Sequence, residues 1–250
     1  MNKYTINKAF EKHFSHPVWK IEVDCSHNRF VVEYRDPTHT IPSFSVMTFE
    51  GDTVLENYTI SEKEWTIEAI QGDFLIFKRF GTSSPIQAGV QVLHIPSQSV
   101  VSCYQQYILK EVYNGILKVA HRSIPSGLEY YMDLESGDVN TKTPVSLLLP
   151  YNSITYPIPY QGHLPDFIKD LAPDDQIWLQ PYQNIFIWSY HKKHNNNFDL
   201  YLCLSTKNEI LDHKIILKGL DRLIPQPYFQ VKGHIFFLSN TKQEIATYLV

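Results

Sequence analysis

Tight apolar runs recur along the chain, each after a short extended stretch and a polar turn. The phrase is read five times, as CSHNRFVVEYR, IQGDFLIFKRF, VYNGILKVAHR, PYQNIFIWSYH and QVKGHIFFLSN. The first apolar residues after the turns are Phe30, Phe74, Ile116, Ile185 and Ile235, spaced by 44, 42, 69 and 50 residues. Around the second copy the unit is plainest. WTIEAI, FLIFKRF, GVQVLHI and SVVSCYQ are short runs rich in β-branched and aromatic residues, with turn residues between them. Four antiparallel strands repeated at this period are the pattern of a propeller blade.

The pattern therefore predicts an all-β chain, a single β-propeller domain of about five blades over residues 1–250. The blades are expected at about 17–60, 64–106, 107–145, 174–217 and 225–250. The fifth copy holds three strands, one too few. Residues 5–15 are expected to complete it as an outer strand, because pairing removes an exposed sheet edge. The rival reading of that segment is a short helix, since Ile6, Phe10 and Phe14 recur every four residues. The longest spacing holds an insertion, 146–172. Its first part is Pro/Tyr-rich and reads as irregular. LPDFIKDLAP reads as a helical turn or two, with Pro165 and Asp166 at its start. The insertion is expected on the face of the other inter-blade loops.

Composition narrows the classes. At 250 residues and 43% apolar content the chain can bury a sizeable core without staples. Net charge is −4, and the sequence holds no long basic run, so no nucleic-acid partner is expected. No stretch approaches the ~20 apolar residues of a membrane span. Cys25, Cys103 and Cys203 lie far apart and suggest neither a zinc site nor a disulfide framework. With an N-terminus lacking the apolar core of a signal peptide, the expected setting is reduced cytoplasm, and the expected state a monomer.

Long loops on a rigid scaffold are where binding groups gather. They are expected at 36–43, 80–88, 123–127, 192–197 and 217–227, on the face that the insertion shares. Five residues after each anchor stand Arg35, Arg79, His121, Tyr190 and Asn240, flanked by Arg122 and His191. One reading is a polar, partly cationic set that receives an anionic or sugar-like ligand, since Arg suits carboxylate or phosphate. The plainer reading is solvated strand ends. The three-residue spacing of His191 and His194 in HKKHNNN is weak evidence for a metal site, with no carboxylate nearby before Asp199, and none is expected. Trp19, Trp65, Tyr107 and Trp178 open the first strands of four copies and read as packing wedges between sheets. No GxSxG, HExxH, Walker A or GxGxxG pattern occurs, and no cofactor is expected.

VWKIEVD followed by NRFVVEYRD, then EWTIEAIQGDFLIFKRF with a Pro…Gly loop before VQVLHI, resembles an uncharacterised bacterial β-propeller-like family of unknown function. That family is distantly similar to quinoprotein-like and WD-type propellers. The resemblance spans most of 17–140, departs at Pro96-Ser97-Gln98 and implies a fold, not an activity. The functional expectation is a non-enzymatic binding or scaffold module, its long-loop face holding a protein partner or a small polar ligand. The alternative is a sugar hydrolase with paired carboxylates, for which Glu64 and Asp175 are the first candidates.

Overall fold

A computed structural model describes residues 4–80, 88–124, 127–171, 173–174 and 176–250. The first strand is β1 (Asn7–His13). Three four-stranded antiparallel sheets follow, each in chain order. They are β2 (Val18–Asp24), β3 (Arg29–Arg35), β4 (Pro42–Thr48) and β5 (Thr53–Thr59); β6 (Trp65–Gln71), β7 (Phe74–Arg79), β8 (Val90–His94) and β9 (Ser99–Tyr104); and β10 (Tyr107–Tyr113), β11 (Ile116–His121), β12 (Glu129–Asp133) and β13 (Val139–Asn140). Then come β14 (Ile154–Thr155), β15 (Ile158–Pro159) and the one-turn α1 (Asp166–Lys169). The last strands are β16 (Trp178–Tyr182), β17 (Ile185–His194), β18 (Asn197–Ser205), β19 (Ile210–Leu220), β20 (Phe229–Val231), β21 (His234–Leu238) and β22 (Glu244–Leu249). The fold is all-β, and its five sheets match the blades of a five-bladed β-propeller. No helix among the described residues is long and apolar enough to cross a membrane.

The chain divides into two compact units: Phe14–Asn152, and Ser153–Val250 together with the residues up to His13. In the first sheet the second strand is the most buried, as its continuous apolar run requires. β3 is covered on both faces, whereas β5 shows mostly exposed positions. Val31, Phe44 and Val46 of the first sheet meet Trp65, Ile67, Leu75 and Phe77 of the second. Ile76, Val90 and Val92 meet Leu117, Val119 and Met132 of the third.

Polar joints fix neighbouring sheets in register. Asp24 Oδ2 accepts from the Gly72 amide at 2.6 Å, and Gln71 Oε1 accepts from the Gly115 amide at 3.0 Å. The last residue of a first strand thus bonds the tight turn of the next sheet. Glu33, fully buried in β3, accepts from Arg35 Nε, Thr66 Oγ1 and the Ile67 amide. A buried carboxylate needs such company.

In the second unit, β1 pairs antiparallel with β22, from Asn7↔Leu249 to His13↔Glu244. The spacing of Ile6, Phe10 and Phe14 is even, so it suits a strand as well as a helix. The free edge of β22 decides for the strand. Ile6 is buried, and its amide donates to Asp212 Oδ2 at 2.7 Å. The core joins Ile187, Leu200, Leu202 and Leu204 of the fourth sheet to Ile235, Phe237 and Tyr248 of the fifth.

The insertion is more regular than its composition suggests. β14 adds to β20 and β15 to β16, so four residues of one short segment bond the first strands of both sheets. α1 starts after Pro165 and buries Ile168 against Trp188, Tyr190 and Cys203. The segment 192–197 also departs from expectation. β17 and β18 stay paired to His194↔Asn197, leaving only Asn195-Asn196 as the turn. A polar run does not bar strand pairing where the side chains can reach water.

Candidate functional site

The sequence-predicted polar set separates between the two units. In the first, Arg35 is buried, and its guanidinium makes four hydrogen bonds and an ion pair. Nε and Nη2 meet Glu33, Nη1 donates to the Thr40 and Lys63 carbonyls, and Nη2 to the Trp65 carbonyl. Arg79 pairs with Glu62, donates to Gln105 Oε1 at 2.7 Å and lies 5.2 Å from the centre of the Trp65 ring. Trp65 therefore gathers both arginines, Arg35 at its carbonyl and Arg79 at its ring. Only glycine fits beside them, since a Cβ on Gly89 would come within 2.8 Å of the indole and 2.9 Å of Arg79. His121 ends β11 edge-on to Tyr107, and the exposed Arg122 uses its amide to reach the Gln106 carbonyl.

In the second unit Tyr190 is mid-strand, not at a strand end. Its hydroxyl meets His213 Nε2 at 2.7 Å, and its ring stacks on Tyr201. Burial pushes this phenol well above its usual pKa, with Cys203 and Tyr201 adding to the shift. Burial also pulls His213 below the ordinary imidazole value, helped by Lys192 and opposed by Asp212. His191 is buried, and its Nε2 accepts from the Ile224 amide at 3.2 Å. Glu64 is half-buried, with its carbonyl accepting from the Phe80 amide; Asp175 lies outside the described residues, as do 81–87 and 125–126 of the expected loops. Of the expected wedges, Trp65 is buried while Trp19 is 64% exposed, its indole 5.2 Å from the Arg35 guanidinium.

The bond from His191 leads to a cleft of about 610 Å³ within the second unit. One wall is the loop after β19, Arg222–Pro227. Pro225 and Pro227 fix their own φ and restrict the residues before them, and His191 pins the loop between them and β17. The floor is the β20–β21 hairpin, where Phe229 and Phe236 pair in register. Their rings lie 4.9 Å apart and parallel to within 1°. The turn after β21 supplies Asn240 and Lys242, and the link between β14 and β15 supplies Tyr156.

The chemistry of this cleft is one-sided. Arg222 and Lys242 are exposed on its rim, and among the described residues neither has an ion-pair partner. None of its lining residues is a carboxylate. Asp221, next to Arg222, accepts from Asn240 Nδ2 at 3.4 Å. Tyr228 also lines the cleft. Its buried hydroxyl makes no hydrogen bond among the described residues, and burial holds its pKa far above the usual phenol range. It is a neutral donor. Sequence reading reached the loop, Asn240 and His191. It missed Arg222, Lys242 and the phenylalanines, because a single cation in a loop and an aromatic in a strand look ordinary.

A second cavity, about 550 Å³, lies at the tight turns of the first unit beside Asp24, His27, Gly72 and Asn114. Asp24 meets His27 Nδ1 at 2.7 Å and accepts from three backbone amides. Asp36 and His39 repeat that pair at 2.7 Å in another turn. The Asp-x-x-His contact is thus a turn-capping device. Glu11, His13 and Glu244 each bring one potential metal-ligand atom within 4.8 Å of the others on the β1–β22 seam, and His13 bridges the two carboxylates at 3.2 and 3.5 Å.

No family model matches the chain, and no curated protein matches it. Among solved structures, it is similar to an uncharacterized protein of Listeria monocytogenes, at 11% identity over 94% of this chain and 83% of that one, with a TM-score of 0.33. It is also similar to the β-propeller domain of the Trilobed protease from Pyrococcus furiosus, at 11% identity over 91% and 78%, with a TM-score of 0.32.

Proposed function

We propose that this protein is a non-catalytic binding module and that the cleft of its second unit takes a small anionic ligand. The observation that carries this reading is the pair of rim cations, Arg222 and Lys242, which among the described residues are unpaired and stand on a cleft lined by no carboxylate. An exposed cation can remain hydrated at little cost. Two of them converging on a concave, largely apolar surface favour a ligand that brings the missing charge. The volume, about 610 Å³, falls in the range of small-molecule sites. Burial of Cys25 and Cys203, with all three thiols free, suits a reducing compartment such as cytoplasm.

Isothermal titration with acetate, phosphate and citrate tests the reading. Saturable binding of at least one anion is expected, weakened tenfold or more in Arg222→Ala/Lys242→Ala and weakened by added salt. Equal binding by the double variant, or no binding of any anion, would refute it.

A further inference from the structure

The chemistry of the walls says more about the ligand than its charge. Resting on the reading above, we infer that the ligand is a flat aromatic acid, a ring system carrying a carboxylate or a phosphate ester. Four of the lining side chains are aromatic: Tyr156, Tyr228, Phe229 and Phe236. The parallel pair of Phe229 and Phe236 gives the hairpin floor one flat orientation instead of a knobbed aliphatic surface. Tyr156 stands 54% exposed while its neighbour Pro157 is buried. An anchored backbone thus holds a large ring out in water at the cleft. Aromatic rings prefer offset or edge-on partners of their own kind, so a planar ligand gains from this wall where an aliphatic one of equal area does not. The cations lie on the loop Arg222–Pro227 and at Lys242, at the rim and not in the floor. A ligand with its charge at one end and its ring at the other meets both. The unmatched Tyr228 hydroxyl adds a neutral donor, which an oxygen of that ligand can satisfy.

Five probes separate the parts of this inference, measured by fluorescence or calorimetric titration on the full chain. 2-Naphthoate has ring and charge. Cyclohexanecarboxylate has charge without a flat ring. Naphthalene-2-carboxamide has the ring without charge. 2-Naphthyl phosphate changes the acid, and acetate is charge alone. 2-Naphthoate or 2-naphthyl phosphate is expected to bind at least tenfold tighter than cyclohexanecarboxylate and than the carboxamide, and the better of the two identifies the acid. Tyr156→Ala should erase most of the preference for the flat ring and leave cyclohexanecarboxylate within about twofold. Tyr156→Phe should keep the preference. The exposed position of Tyr156 makes misfolding an unsuitable explanation, and unchanged circular dichroism checks it. If cyclohexanecarboxylate binds as tightly as both aromatic acids, or Tyr156→Ala keeps the full preference, the aromatic inference falls and the anion reading stands. If the carboxamide matches the naphthoate and Arg222→Ala/Lys242→Ala changes neither, the anion reading itself falls.

Discussion

Arg35 shows how a residue can look like a ligand-binding cation and be a structural one. Sequence places it at a strand end, where a charge belongs in water. The structure gives it Glu33, two residues earlier and fully buried, as the reason to turn inward. Nothing in the spacing reveals which strand face Glu33 takes, because β3 is covered on both. Arg35→Met should strand a buried carboxylate and cost about 3–5 kcal/mol in urea unfolding, and Glu33→Leu in the same chain should recover much of that loss. His213 makes a pH prediction. Its folded pKa lies below the ordinary 6.5, so the unfolded chain takes up the proton first. The stability it supports is complete above about pH 6.5 and fades as the pH falls through the folded value. The urea midpoint should therefore drop more between pH 7 and 5 in the wild type than in His213→Phe, which keeps a ring in the Tyr190–Tyr201 stack but cannot titrate. An equal drop in both proteins would remove His213 from the account. Thiol chemistry should follow burial too. Cys203 is pushed up to about 12 by burial and by Asp212; partial burial raises Cys103 too, against the pull of Arg79, but Cys103 stays exposed. One thiol, Cys103, should react with a disulfide reagent in the native protein, at a rate that rises with pH, and Cys25 and Cys203 only on unfolding.

Elements were legible where a strong period met an unambiguous turn. Gly72-Asp73 and Asn114-Gly115 mark two-residue hairpins, and the pairs Gln71↔Phe74 and Tyr113↔Ile116 close on them. Where polar residues continue a strand, the pattern is silent. The turn at Asn195-Asn196 was hidden in HKKHNNN, and β14 and β15 were hidden in a Pro/Tyr-rich run because two-residue strands carry no periodicity. The cleft shares that fate, being composed by a loop, a hairpin and a strand link that sequence spacing cannot bring together. His191 is the exception, since its position after Tyr190 was singled out, though its role is to hold the loop through the Ile224 amide rather than to meet a ligand directly. His191→Phe removes that acceptor and should loosen the loop, weakening anion binding several-fold with little change in the salt dependence that Arg222 and Lys242 set. His191→Gln, which can still accept, should restore part of the affinity. A change in salt dependence equal to that of Arg222→Ala would instead make His191 a direct ligand contact.

At the scale of the whole molecule, the repeat was readable because one sheet is copied, and the missing strand was readable because a copied sheet needs its edge covered. The second unit therefore takes its outer strand from the other end of the chain, so that Asn7 meets Leu249. Such a contact is the most expensive in chain entropy and brings its reward only after the intervening sheets are formed. β1 should accordingly dock late and open early. Its hold rests on Ile6, wholly buried among the apolar side chains of the fourth and fifth sheets, and on the Ile6 amide bonded to Asp212. Ile6→Ala leaves the backbone bond and deletes most of the buried side chain, so it should cost about 2–5 kcal/mol if the strand stays docked. If the strand instead detaches, the measured loss is capped at the free energy of undocking. Native-state hydrogen exchange separates the two outcomes. Detachment should speed exchange along the edge of β22 that faces β1, while β21, covered by β20 and β22, keeps its protection. Uniformly faster exchange through β20–β22 would mean that β1 is integral to the cooperative core and not its last, separable layer.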